Sequence, residues 1–339
     1  MMSYKITTNH GVGFDCAEGD TLLRAALRAG IHFPYECNSG GCGSCKIEVM
    51  SGSVTNLWDG APGLSTRDVL KGRQLACQCV PTTDCDIKVR LKSADSQEIA
   101  PVRSIARLYK IERITDDMAK FCFKTEADAK FKAGQFALLD LPGIEGSRGY
   151  SMSNLANDAH EWHFIIKNIP NGKASTLLFD HASVGDKVIL DGPYGLAYLK
   201  PNITRDIVCV AGGSGLSPEM AILKAAVEET GLDHRKIYLF YGGRTPDDIC
   251  TPDLLSADND LFERIISFNA VSDADIAKKE LWTGDVGFVH ELLEKKLANT
   301  LTEHEFYICG PPPMTDALTR MLAMEYKVPL EQIHYDRFY

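Results

Sequence analysis

The chain has no run of about 18 apolar residues, so no membrane span is expected. Its opening, MMSYKITTNH, has no apolar h-region, so secretion is not expected and a cytoplasmic location is. Basic residues are in deficit. Lys and Arg total 36 against 46 Asp and Glu, for a formal net charge of −10. A phosphate backbone is bound by basic patches, so nucleic acid is excluded as a partner. An acidic balance suits solubility and docking to a partner of complementary charge. Internal repeats and low-complexity segments are also absent. A monomer is expected.

Cysteine is what the chain does have: 11 in 339 residues, an odd count. A reducing compartment disfavours a disulfide knot. Three cysteines crowd PYECNSGGCGSCKIEV, residues 34–49. Four residues separate Cys37 from Cys42, and two separate Cys42 from Cys45. A zinc knuckle would need a second short ligand pair of that kind, and none follows. C-x4-C-x2-C with a distant fourth cysteine is the plant-type [2Fe–2S] spacing. Gly40, Gly41 and Gly43 let a loop fold around a small cluster without Cβ atoms in the way. The fourth thiolate comes from RQLACQCVP, and spacing does not choose between Cys77 and Cys79.

The length suits two or three domains. Residues 1–93 read as two short strands, a helix over DTLLRAALRAGI with Asp20 as N-cap, the cysteine loop and a closing strand over CDIKVRL. KSADSQEIAPVRS is polar and aperiodic, a linker. Residues 102–201 carry short strands broken by turns, with one helical stretch, KASTLLFDHA, and predict an antiparallel β-barrel. Residues 204–339 alternate strand and helix, which predicts an α/β parallel sheet with helices on both faces.

Three further motifs carry chemistry together and little singly. AGGSGLSP follows a strand and opens a helix, and Gly212, Gly213 and Gly215 let backbone approach a diphosphate. It departs from G-x-G-x-x-G, because Pro218 falls where the last glycine would be. YICGPPPM ends a later strand, and the carboxyl ends of parallel strands would place Cys309 and Gly310 beside that turn. RGYS and NGKAST offer Arg148 and a backbone turn to a diphosphate, and Ser151 as a hydrogen-bond donor. Alone, Arg148 reads as a surface charge, Ser151 as a strand residue and Cys309 as a small buried one.

Taken in order, the cysteine loop, R-x-Y-S, G-x-x-S, G-G-S-G-L-S-P and C-G-P-P-x-M resemble the ferredoxin–NADP reductase superfamily. With the fused N-terminal domain, the whole chain resembles the reductase components of multicomponent bacterial oxygenases. FPYECNSGGCGSCKIE, LACQC, LDGPYGL, IVCVAGGSGLSPEM and IHYDRFY look most like toluene monooxygenase reductases. The resemblance implies a β-grasp ferredoxin domain with Cys37, Cys42, Cys45 and Cys77 as the cluster ligands. It implies FAD on the barrel, at Arg148, Gly149, Tyr150, Ser151, Ile166 and Lys167, with a diphosphate turn at Gly172, Lys173, Ala174 and Ser175. Ser151 would lie near the flavin N5, with Phe338, or else Tyr339, over its face. The nicotinamide nucleotide would meet Gly213, Ser214, Gly215, Leu216, Tyr241, Gly242, Arg244, Cys309, Gly310 and Pro311. Arg244 is followed by Asp247 and Asp248, which repel a 2′-phosphate and can accept from a free 2′-OH, so NADH is favoured over NADPH.

The implied route runs from NADH to FAD to [2Fe–2S] to an external acceptor. That acceptor is a Rieske-type ferredoxin or the di-iron hydroxylase of an aromatic, toluene-type monooxygenase. The alternatives are a Rieske ring dioxygenase and a phenol- or alkane-type hydroxylase. A cluster carrier without flavin is opposed by the intact R-x-Y-S and G-x-x-S motifs. A free-flavin reductase would have no use for the cluster. The acceptor would dock around residues 37–45, which the sequence covers only with Asn38, Ser39, Gly40 and Gly41.

Overall fold

The computed structural model describes residues 2–92 and 99–337. It divides into two compact units. Among the described residues, the first is 2–92 and 99–103 with Gly192–Tyr194, and the second is 104–191 with 195–337.

In the first unit a five-stranded sheet runs in the order Gly13–Ala17, Ser3–Thr8, Cys85–Lys88, Lys46–Ser51, Arg73–Leu75. Ser3–Thr8 pairs parallel with Cys85–Lys88, and the remaining pairings are antiparallel. Helix Leu22–Arg28 covers the sheet with Leu22, Leu23, Ala25, Ala26 and Leu27 buried. Its N-cap is Thr21, whose side chain accepts from Arg24 N–H at 3.4 Å, and not Asp20. Asp20 instead accepts from Thr21 N–H at 2.8 Å and pairs with Arg28. A carboxylate one position early thus braces the cap and pairs with the basic residue of the helix's last turn. This is the β-grasp arrangement, with the cysteine loop between helix and third strand.

A second sheet, most of it in the second unit, has six strands in the order Arg148–Ser151, Phe136–Asp140, Lys187–Tyr194, Val102–Arg113, Met118–Lys124, Glu161–Lys167, with antiparallel pairing of Phe136–Asp140 to Arg148–Ser151 and of Met118–Lys124 to both its neighbours. The edges meet through an antiparallel bridge between Met152 and Phe164, which curls the sheet towards a barrel. Phe121, Phe123, Leu139, Trp162 and Phe164 fill it. The first of these strands begins at Val102, inside the stretch read as linker.

The other sheet of this unit is wholly parallel: Asp285–Val286, Ile265–Val271, Ile237–Gly243, Asp206–Gly212, His304–Gly310, Ile333–Arg337. The chain starts at Asp206–Gly212, works outward through three strands, then returns to the other side for the last two. That reversal leaves a crevice at the carboxyl ends of Asp206–Gly212 and His304–Gly310, where α/β sheets bind ligands. Helix Leu216–Glu228 opens from this point, and every residue from Leu216 to Leu223 is buried. Among the described residues no helix is long and apolar enough to cross a membrane.

Candidate functional site: three cofactor positions

The cysteine loop needs unusual backbone. Gly40 sits at φ +92° and Gly43 at +75°, a region an L side chain rarely adopts. That path turns amides onto sulfur: Cys42 N–H lies 3.3 Å from Cys37 Sγ and Ser44 N–H 3.4 Å from Cys42 Sγ. Gln78 Nε2 reaches Cys77 Sγ at 3.6 Å, and the Gly40 backbone also favours that thiolate. The thiols meet as two pairs, Cys37 with Cys42 and Cys45 with Cys77. The hydrogen bond from Cys42 is the largest influence on Cys37 and draws its thiol below the usual range. Among the described residues no three Cys, His, Asp or Glu side chains converge on one ion. Two thiol pairs lined with amide donors suit a cluster of two irons, each held by two thiolates, better than one tetrahedral ion. Cys79 stands apart. Its thiol donates to Gln74 Oε1 at 3.1 Å and Asn56 Oδ1 at 3.4 Å, and burial pushes it up to about 12.

On the barrel, Ser151 is 2% exposed and its Oγ has no hydrogen-bond partner. A buried hydroxyl left unmatched is costly, which fits a site completed by a polar ligand atom. Tyr150 is half-buried against Phe164, and burial lifts its hydroxyl to about 12. Arg148 is exposed and folds back on the carbonyls of Glu145, Gly146 and Ser147. Ser175 closes the Gly172 turn, accepting from Ile169 N–H at 3.0 Å and donating to Gly172 O at 3.0 Å. Ile166 lies in the barrel core, so it has only backbone to offer a ligand. Phe338 lies outside the described residues.

In the crevice, Ala211 pairs with Cys309, which sets the two glycine turns side by side. A Cβ on Gly215 would run into the Cys309 backbone, and one on Gly212 would sit 3.3 Å from Pro311. Cys309, Leu216 and Tyr241 are buried. Ser214 and Gly213 are partly open, and Arg244 and Asp247 are exposed. Asp248 behaves differently from Asp247. Its Oδ2 caps its own turn, accepting from Arg244 N–H and Thr245 N–H at 2.9 Å each, and its Oδ1 meets Lys167 Nζ at 3.1 Å.

Two contacts join flavin strands to nucleotide turns. Lys167, whose ammonium also meets Asp117 at 2.9 Å, lays its stem against Gly213. Ser217, 1% exposed, donates to Ser151 O at 2.7 Å and accepts from Ile165 N–H at 2.9 Å. Sequence reading passed over Ser217 as part of a turn motif, although its place between two glycines' turn and Pro218 marked it.

The family model of a 2Fe-2S iron–sulfur cluster binding domain matches residues 6–82, that of an oxidoreductase FAD-binding domain 105–198, and that of an oxidoreductase NAD-binding domain 209–320. The ferredoxin–NAD(P)+ reductase of Metapseudomonas resinovorans is 41% identical over 328 residues, 96% of each chain. The ferredoxin–NAD+ reductase component of the alkene monooxygenase system of Xanthobacter autotrophicus is 37% identical, covering 97% of this chain and 99% of its own. The solved ferredoxin reductase in carbazole 1,9a-dioxygenase superposes with a TM-score of 0.89 at 37% identity, over 100% of this chain and 99% of its own.

Proposed function

The chain belongs to the ferredoxin–NAD(P)+ reductases that fuse a [2Fe–2S] domain to FAD- and NAD-binding domains, and from that membership we infer the route of its electrons. It is an oxidoreductase and a reductase component of the multicomponent oxygenase type. We propose domain limits of 1–93, 102–201 and 204–339, a cytoplasmic location, and NADH as the donor. A flavin exchanges a hydride's electron pair on one side and single electrons on the other, and the cluster carries them one at a time.

The residues divide the work as follows. Cys37, Cys42, Cys45 and Cys77 hold the cluster. With the cofactors bound, Ser151 would offer a donor to the flavin, Arg148 and the Gly172–Ser175 turn would hold its diphosphate, and Gly213–Leu216 with Cys309–Pro311 would seat the nicotinamide nucleotide. Exposed Asp247 opposes a 2′-phosphate. The observation that carries this reading is the Ser217 hydroxyl, which ties Ser151's strand and the next barrel strand to the nucleotide helix within one unit.

The immediate acceptor is a small Rieske-type ferredoxin, and behind it stands a di-iron monooxygenase of aromatic substrates. Both relatives above are named for ferredoxin, which favours that acceptor over direct transfer to a hydroxylase. That the solved relative is a ferredoxin reductase in carbazole 1,9a-dioxygenase keeps a Rieske dioxygenase as the second reading. The test is anaerobic stopped-flow. NADH should bleach the flavin and produce the reduced-cluster EPR signal. Mixing the reduced protein with a purified Rieske-type ferredoxin should then reoxidise it faster than mixing with a hydroxylase alone. Fast transfer to the hydroxylase with none to the ferredoxin overturns the acceptor.

A further inference from the structure

The cysteine loop is not covered by small side chains alone. Segment 57–64 folds over it, with Gly63 N–H bonded to Gly40 O at 2.9 Å and Leu57 N–H to Gln78 O at 2.8 Å. This seats the Trp58 ring on the loop itself: its Cε3 lies 3.3 Å from where a Cβ on Gly40 would stand. Gly40 is therefore required twice, by its positive φ and by the ring. Yet Trp58 is 45% exposed and Leu57 beside it 59%. The four thiols are unequally covered as well. Cys45 and Cys77 are 2% and 1% exposed, whereas Cys37 and Cys42 are half-buried and so lie on the outward side. Glu36, next to Cys37, and Asp59, next to Trp58, are both exposed carboxylates.

We propose that Trp58, with Leu57, is the anchor on which a small soluble one-electron carrier protein docks against the outward Cys37–Cys42 side of the loop. This rests on the reading of that loop as the exit for electrons. A tryptophan at the surface is a rigid apolar plate that loses little freedom on binding, and such residues dominate interfaces of modest area. Here the plate touches the backbone between two thiols, so a partner that covers it stands next to the outward thiol pair. The flanking Glu36 and Asp59 call for a partner face with an apolar socket and basic side chains at its rim, and they set the approach rate more than the affinity. A bare loop of small side chains offers no such anchor, so docking is specific where the sequence alone showed only Asn38, Ser39, Gly40 and Gly41.

The test uses the full-length, cofactor-loaded protein and its Trp58→Ala and Trp58→Phe variants. Calorimetry measures binding of an oxidised Rieske-type ferredoxin, and stopped-flow measures reoxidation by that ferredoxin and by cytochrome c. Ferricyanide, which needs no docking face, and the cluster's EPR signal report cluster integrity. Trp58→Ala should weaken binding and slow transfer to the protein acceptors by about thirtyfold, with Trp58→Phe keeping most of both. Ferricyanide reduction and the EPR signal should not change. Equal binding and equal transfer in Trp58→Ala overturn the proposal. So does a parallel loss with ferricyanide in both variants, which assigns the ring to the cluster's support. If the wild type reduces cytochrome c and not the ferredoxin, the acceptor named in the preceding section fails, and the comparison on cytochrome c still decides Trp58.

Discussion

Ser217→Ala removes one oxygen from a site that water does not reach. The hydroxyl donates to Ser151 O at 2.7 Å and accepts from Ile165 N–H at 2.9 Å. Alanine leaves the Ile165 N–H buried and unmatched, at a cost of about 1–3 kcal/mol, and the donated bond adds about 1 kcal/mol. The variant should therefore lose roughly 2–4 kcal/mol where barrel strand and nucleotide helix meet. That loss should show first as flavin release at lower temperature. The kinetic consequence follows from position, since the two strands that lose the bond carry Ser151 and Lys167. A displacement near 1 Å between reacting groups can slow reaction by about 10²-fold, and a partial slip should slow flavin reduction by about tenfold. The assay is anaerobic stopped-flow reduction at saturating NADH, with NADH affinity and FAD content measured alongside. The rate should fall while both of those hold. Lower stability with an unchanged rate would show that Ser217 only supports the fold. Unchanged stability would show that the two hydrogen bonds contribute nothing net, and the reasoning would fail at its first step.

For the cluster, Cys77→Ser should lose most of the visible absorption and the reduced-state EPR signal, whereas Cys79→Ser should keep both; the reverse pattern would exchange their roles. For nucleotide choice, NADH should exceed NADPH in kcat/KM, and Asp247→Lys should narrow the gap about tenfold, the scale of one charged contact. Asp248→Asn should instead impair both nucleotides together, because that carboxylate caps the 245–248 turn and meets Lys167. For pH, the Lys46 ammonium above all, then Ser65 and Arg73, hold buried Asp68 well below the usual carboxylate range. A carboxylate whose folded pKa is depressed stabilises the fold above its unfolded pKa and loses that contribution as pH falls towards the folded value. Asp68→Asn should thus melt earlier than the wild type at pH 7 by circular dichroism, with the gap closing in acid; a gap that widens in acid would refute it.

Local pattern carried the fold class. Short alternating strands, the glycine-flanked cysteine spacing and the strand–helix alternation after residue 204 each depend on neighbours within about ten residues, which is the range over which backbone preference acts. Strand Ile333–Arg337 escaped because five residues after a turn have little period to read, and their pairing with His304–Gly310 is non-local. The helix cap moved from Asp20 to Thr21 because two adjacent residues both qualify as caps and the three-dimensional path chose.

The candidate site divides along the same line. Spacing alone pointed to a [2Fe–2S] loop, and the order of the motifs carried the family resemblance that implied a flavin and a nucleotide site, because cofactor chemistry imposes residue types and spacings that survive in one dimension. Tertiary structure decided which groups are available to act. Asp247 and Asp248 are equivalent in the sequence, yet folding leaves one exposed and commits the other to a cap and an ion pair. Cys77 and Cys79 are two apart, yet one thiol meets Cys45 and the other is bound to Gln74 and Asn56. Trp58 lies sixteen residues beyond Cys42 and touches the loop only because Gly63 bonds back to Gly40. In each case the deciding force is a hydrogen bond or a packing contact between segments far apart in the chain, and its partner exists only once the backbone has closed.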